Sequence, residues 1–267
     1  MNGEVAAVQA GPFTLDCLKF GNGDEALVIL PGVSVLSVMG AADAIAQDYA
    51  ALAGRFAVHL LDYRADPPDP YPVRTIAQDV SHALQTLGLN RVNLFGASLG
   101  GMVAQVLAIE HPELVGRLVL GSTAPRVTGG RWRLLERWAA LAERGDALGL
   151  CLAFGEAVYP AEVFERSRAA LEEMAAAATE ADLARFAALV RGIRGFDVAD
   201  ELGGIACPVL AIGSSDDRVL GSEGTLDIAA RLGGRAGFEM HLYDGYGHAV
   251  YDTAPDYKDR MLRFLTA

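Results

Sequence analysis

Lysine is nearly absent from this chain. Lys19 and Lys258 are the only two in 267 residues, and arginine brings the basic total to 22 against 34 acidic side chains, a net charge of −12. Gripping a nucleic-acid backbone requires clustered cations that neutralise phosphates. The sequence has no such cluster, which argues against nucleic acid and against an anionic membrane surface as partners. The acidic balance otherwise bears on solubility and says nothing about fold.

Cysteine is scarce as well. Cys17, Cys151 and Cys207 are far apart, odd in number, and form no Cys-x-x-Cys pair. That argues against a disulfide framework and a thiolate zinc site. The opening stretch MNGEVAAVQAGPFTLD has no basic region followed by an apolar one, so no signal peptide is expected. Long apolar runs are missing too. Leu27 to Ala42 is broken by Pro31 and Gly32 and carries Ser34 and Ser37, too interrupted for a membrane span. The expectation is a soluble, cytoplasmic protein.

What is present is a chain for a folded core, 52% hydrophobic and 21% charged. Its length suits one large domain or one domain with an insert. Short apolar runs alternate with amphipathic segments. Strands are predicted at Phe13–Phe20, Ala26–Leu30, Phe56–Leu61, Val92–Phe95 and Leu118–Leu120, with helices over Asp43–Ala53, Val73–Leu87 and Leu99–Glu110. Ala65–Pro72, rich in proline, reads as an exposed loop. From Arg126 to Asp200 no strand signal appears, and Ala, Leu, Arg and Glu dominate, as in Arg131–Arg144 and Glu162–Arg191. The alternation then resumes with strands at Val209–Ile212 and Phe238–Leu242 and helices at Ser222–Leu232 and Pro255–Leu265. Fully apolar strands alternating with helices imply a mostly parallel sheet covered on both faces.

The sharpest local pattern is Phe95-Gly96-Ala97-Ser98-Leu99-Gly100-Gly101. Glycines two residues either side of Ser98 permit a strained turn between strand and helix. That turn lifts the serine hydroxyl to a helix N-terminus, where free N–H groups favour developing negative charge. Such a serine needs a base. His59, His82, His111 and His241 fall within or at the ends of regular elements and read as core or surface residues. His248 follows Asp244-Gly245-Tyr246-Gly247 in a glycine-rich loop after the last strand, where parallel-sheet proteins place ligands. The base needs an orienting carboxylate. Asp216, after the strand at Val209–Ile212, is the first choice, with Asp217 in reserve; Asp62 and Asp66 follow an earlier strand and rank behind them.

With these motifs in their order Ser, Asp, His, the chain resembles the α/β-hydrolase superfamily. The likeness is to its compact, cap-bearing branch of carboxylesterases, enol-lactonases, carbon–carbon bond hydrolases and proline iminopeptidases. It rests on Leu30-Pro31-Gly32-Val33 as the oxyanion loop, Asp62-Tyr63-Arg64 as the Asp-x-Arg segment, the Gly96–Gly101 elbow, Cys207-Pro208-Val209-Leu210 leading to the acid loop, and Gly247-His248. Two positions depart from the pattern: Pro31 stands for the usual histidine and Ala65 for the usual glycine. Serine at the elbow sets the chain apart from epoxide hydrolases and haloalkane dehalogenases, which use aspartate there.

The resemblance implies a mostly parallel twisted α/β sheet of about eight strands, with residues 1–125 and 200–267 as its core and 126–199 as an inserted helical cap. It implies Ser98 as nucleophile, His248 as base, Asp216 as orienting acid, and the backbone N–H groups of Val33 and Leu99 as the oxyanion hole. No metal or organic cofactor is implied. The substrate expected is a small ester, lactone or thioester with an apolar moiety. Gly32 and the cap aromatics Trp132, Trp138, Phe154 and Tyr159 are taken as pocket walls. Phe164 and Phe186 could join them or pack between helices. Arg126, Arg131 and Arg133 could meet a substrate carboxylate, though solvated surface is the plainer reading. Carbon–carbon bond cleavage, aminopeptidase activity, or a non-hydrolytic ligand-sensing role remain alternatives. A homodimer is left open.

Overall fold

The computed structural model describes residues 3–267. Strands β1 (Glu4–Ala10), β2 (Phe13–Phe20), β3 (Glu25–Leu30), β4 (Phe56–Leu61), β5 (Val92–Ala97), β6 (Val115–Gly121), β7 (Val209–Ser214) and β8 (Phe238–Tyr243) form one sheet. Their spatial order is β1-β2-β4-β3-β5-β6-β7-β8. β2 pairs antiparallel with β1 and β4, and every pair from β4 onward is parallel.

The pleat explains why these strands are almost wholly apolar. Val28, Leu30, Leu94, Leu118, Leu120, Val209 and Ala211 enter one core, and Leu27, Ile29, Phe95, Ala97, Val119, Leu210 and Ile212 enter the other. Successive side chains point to opposite faces, so a strand covered on both sides must be apolar throughout. Helices α1 (Ala42–Asp48), α2 (Ala50–Ala53) and α11 (Tyr257–Leu265) cover the second face. Helices α3 (Val73–Thr86), α4 (Leu99–Glu110) and α9 (Ser222–Leu232) cover the first. The short α10 (Val250–Thr253) follows the last strand.

Four helices, α5 (Gly129–Glu143), α6 (Ala147–Val158), α7 (Ala161–Ala177) and α8 (Glu180–Gly192), run consecutively between β6 and β7. Thr179 opens α8 with a capping box: its hydroxyl accepts from the Asp182 N–H, and the Asp182 carboxylate accepts from the Thr179 N–H. The block is fastened to the sheet by buried charge. Arg185 of α8 donates to Asp62 at 2.6 Å, and both side chains are at most 5% exposed. Among the described residues no helix is long and apolar enough to cross a membrane.

Three local expectations change. The strand β1 went unforeseen, because only its Val8 and Ala10 are buried and the rest shows no firm alternation. The helix expected over Asp43–Ala53 is broken at Tyr49 into α1 and α2. The loop 65–72 is exposed only in part: its Tyr71 is fully buried, and the phenol donates to Asp79, which also takes Arg64.

Candidate active site

Ser98 sits between β5 and α4 with φ 52° and ψ −114°. A non-glycine residue rarely adopts this region, and holding it there costs on the order of 1–3 kcal/mol. The flanking sequence imposes it. A Cβ on Gly96 would come within 2.3 Å of the Gly100 carbonyl oxygen, and one on Gly100 within 2.1 Å of the Leu30 carbonyl oxygen. Only glycine lets strand, helix and the loop after β3 approach so closely. The turn is held by the Ser98 N–H, which donates to the Gly121 carbonyl at 2.8 Å, and by the Thr123 hydroxyl, which donates to the Ser98 carbonyl at 2.7 Å.

The Ser98 hydroxyl lies 2.9 Å from His248 Nε2, and His248 Nδ1 lies 2.8 Å from Asp217 Oδ2. An ionised carboxylate only accepts, so Nδ1 carries the proton and Nε2 is left to accept from the serine hydroxyl. All three residues are buried, with Ser98 8% and His248 3% exposed.

The carboxylate at the imidazole is therefore Asp217, not Asp216. Asp217 Oδ1 also accepts from the N–H groups of Val219 at 2.7 Å and Leu220 at 3.1 Å. Burial works against its charge, but the charge and hydrogen bond of His248 and those two amides outweigh it, holding Asp217 below the usual carboxylate range. Asp216 faces the other way. Its carboxylate accepts from the Ser214 hydroxyl at 2.5 Å, from Gly245 N–H at 3.1 Å and from Gly247 N–H at 3.2 Å. Burial opposes that charge too, but these donors again prevail and hold Asp216 below its ordinary range. It braces the loop that delivers His248. The buried pair Val219–Leu220 draws Asp217 inward, whereas Asp216 follows the polar Ser214-Ser215; that apolar pair was the sequence signal for the correct choice. Asp62 and Asp66 lie apart from the histidine: Asp62 binds Arg185 and Ser37, and Asp66 is exposed.

The loop after β3 presses against the elbow. A Cβ on Gly32 would stand 3.2 Å from that of Ser98. The Tyr63 hydroxyl donates to the Pro31 carbonyl at 2.6 Å, and Asp62 accepts from the Ser37 hydroxyl at 2.7 Å and the Val38 N–H at 3.3 Å. Val33 thus borders the cavity that holds Ser98. Leu99 is the first residue of α4, so its N–H has no acceptor within the helix.

Two spaces adjoin this loop. The narrow one, over Ser98 and His248, has a volume of about 20 Å³, little more than one water needs. Trp138, Leu135, Phe154, Met102 and Leu220 wall it. The other is a gallery of about 850 Å³ that runs past Pro31–Val38 and Tyr159 to an exposed rim at Gly40, Ala41 and Glu173. Gly32, Val33, Phe154, Val158 and Tyr251 border both.

Of the expected pocket residues, Gly32, Trp138 and Phe154 line the narrow cavity and Tyr159 the gallery. Trp132 lines neither; the Arg194 guanidinium stands 5.7 Å from its ring. Phe164 and Phe186 are buried between helices, Phe186 edge-on to Phe154 at 6.1 Å. The arginines also stay away from the cavity: Arg126 pairs with Asp227 at 3.1 Å, Arg131 with Glu223 at 3.2 Å, and Arg133 is exposed. Sequence reasoning missed Met102, Leu135, Leu220 and Tyr251, which are scattered along the chain and carry no chemical mark.

A family model described as alpha/beta hydrolase fold matches residues 27–255. The chain belongs to the α/β-hydrolase family. Curated relatives of this α/β-hydrolase, among them one from Rhizobium rhizogenes and one from Caulobacter segnis, bear the name RutD, with carbamate hydrolysis as their suggested activity. The one from Rhizobium rhizogenes is 28% identical over 226 residues, covering 81% of this chain and 85% of the relative. The one from Caulobacter segnis is 30% identical over 208 residues, covering 76% of each. The solved enol-lactonase from Burkholderia xenovorans superposes with a TM-score of 0.83 at 23% identity, covering 99% of this chain and 100% of that one. MGS-M2, from a deep-sea metagenome library, gives 0.85 at 18% identity, with 98% of each chain covered. The protein is a hydrolase of this fold.

Proposed function

We propose that this α/β-hydrolase is a serine hydrolase that transfers a small acyl or carbamoyl group from an ester to water through Ser98. The observation that carries this reading is the unbroken chain from Ser98 Oγ to His248 to Asp217, at 2.9 and 2.8 Å. His248 takes the serine proton as Oγ attacks the carbonyl, then returns it to the leaving alkoxide. Asp217 holds the tautomer and offsets the imidazolium charge. The N–H groups of Val33 and Leu99 receive the oxyanion; such a donor is typically worth about two to three orders of magnitude in rate. Water then attacks the acyl-enzyme by the same route.

The helical block acts as a cap, since α5 and α6 supply Leu135, Trp138 and Phe154 to the narrow cavity. A volume of about 20 Å³ favours an acetyl-sized acyl group. A carbamoyl group is planar and of similar size, so the name borne by the RutD relatives fits the same cavity. Lactones that carry a carboxylate fit less well, because Arg126, Arg131 and Arg133 stand elsewhere.

A fluorophosphonate probe should label the native protein at Ser98, and Ser98→Ala should remove the label. p-Nitrophenyl acetate should be hydrolysed faster than the octanoate. Absence of labelling together with absence of ester turnover would overturn the reading.

A further inference from the structure

Asp252 has no evident place in the chemistry above. It lies in α10, four residues after His248, and lines the gallery. Among the described residues its carboxylate takes no hydrogen bond and no ion pair. Lys258, whose charge reaches it, is already engaged: Nζ lies 2.6 Å from Asp48 and donates to the Tyr251 carbonyl at 2.5 Å. Asp252 is exposed along the gallery it lines, with protein packed densely around that space. Desolvation pushes its carboxyl up to about 6; Lys258 opposes that shift, Asp48 adds to it, and His248 opposes it.

The rest of the gallery has one electrostatic character. No lysine, arginine or histidine lines it, and its second charged residue, Glu173 at the rim, is also acidic. Tyr49, Tyr159 and Tyr251 line it too, and Lys258 Nζ already stands 5.1 Å from the Tyr49 ring, leaving Tyr159 and Tyr251. An aromatic ring attracts a cation over its face. A carboxylate without a partner, in a wall that holds no basic side chain, attracts an opposite charge. An anionic ligand would meet two acids and no basic side chain in the wall, and a purely apolar one would desolvate Asp252 without pairing it.

We propose that the gallery is a binding site for an organic ammonium group on the leaving-group side of the substrate, with Asp252 as its counter-ion. This rests on the hydrolase reading: an acyl group confined to the narrow cavity directs the rest of the ester into the gallery. The substrate class is then a small ester or carbamate of an amino alcohol.

Two acetate esters of matching shape test it, 2-(trimethylammonio)ethyl acetate and its neutral carbon analogue 3,3-dimethylbutyl acetate. The wild type should favour the cation in kcat/KM by about tenfold or more, and Asp252→Asn should bring the ratio near one. Without any substitution, the ratio should also fall toward one as pH drops through about 6, where Asp252 takes up a proton. Quaternary nitrogen keeps its charge throughout. Any pH effect on the shared catalytic step slows both esters alike and cancels. Asp48 and Lys258 hold each other, and the phenols of Tyr49, Tyr159 and Tyr251 are pushed upward by burial and stay neutral.

A wild-type ratio at or below one, with both esters hydrolysed, overturns the ammonium site and leaves the hydrolase standing. If neither ester nor p-nitrophenyl acetate turns over, the hydrolase reading falls by itself. Calorimetric titration with benzyltrimethylammonium then judges the gallery alone: tighter binding by the wild type than by Asp252→Asn upholds the site, and equal binding overturns it.

Discussion

The narrow cavity and the gallery each have a carboxylate close by, and the two are dressed in opposite ways. Asp217, behind His248, has its oxygens filled by one imidazole N–H and two backbone amides. Asp252, facing the gallery, has none of these. Asp217 is buried and Asp252 exposed along the gallery, yet the first is held below the ordinary carboxylate range and the second raised to about 6. Desolvation pushes both upward; around Asp217 the charge and hydrogen bond of His248 and two amides outweigh it, and around Asp252 the opposing charges of Lys258 and His248 do not. A saturated carboxylate is a fixed part of the frame. A carboxylate without donors keeps its acceptor sites free.

The comparison can be broken most forcefully at its saturated side. Asp217→Asn should lower kcat by about 10⁴-fold, because the amide would favour the wrong imidazole tautomer. Asp216→Asn, which loosens only the loop carrying His248, should cost roughly tenfold. Steady-state kinetics on p-nitrophenyl acetate with both variants separates them; equal losses would restore Asp216 as a candidate for the acid.

Phe154 borders both spaces. Phe154→Ala should merge them and reduce the preference for acetate over octanoate by about tenfold, in line with the modest worth of each methylene in an apolar pocket. An unchanged preference would show that the narrow cavity does not select the acyl group.

Tyr63→Phe removes the hydroxyl that holds the Pro31 carbonyl. The loop bearing Val33 should loosen, lowering kcat by roughly three- to tenfold with little change in KM. A KM effect alone would mean that Tyr63 serves binding instead.

The smallest effect is on stability. An aspartate in an unfolded chain titrates near about 3.9, and folding raises Asp252 to about 6. The folded state therefore binds the proton more tightly, and stability falls as pH rises between those values. Asp252→Asn should raise Tm above pH 6, and the gain should vanish below about pH 4. Asp217 is shifted the other way, so its contribution is present above the unfolded pKa and lost on acidification. Thermal melts across pH that showed no gain for Asp252→Asn would mean that water along the gallery solvates its carboxylate fully.

How far the sequence could be read follows the range of each interaction. The Gly96–Gly101 elbow and Gly247-His248 are legible because the turn chemistry is local and glycine is required there. The two sheet faces are legible because pleating imposes apolar residues on both. The choice between Asp216 and Asp217 is not local: it depends on which way a turn rotates when Val219 and Leu220 are drawn into the core. Trp132 and Trp138 look alike in sequence, six residues apart on α5, and only the packing of the block against the elbow puts the second over Ser98. Asp252 looks like any polar residue in a C-terminal helix. Its position acquires meaning from a cavity assembled by segments distant in sequence.

The ion pair between Arg185 and Asp62 bears on how a ligand arrives. Asp62 also holds Ser37 and Val38 of the loop behind the elbow. Swinging the helical block away would part these two charges and break the hydrogen bonds that Arg185 donates to the Tyr63 and Arg64 carbonyls. With those contacts in place, the gallery still opens at the rim formed by Gly40, Ala41 and Glu173. A molecule would enter this enzyme by a side door, with its tail still in the corridor while its head reacts.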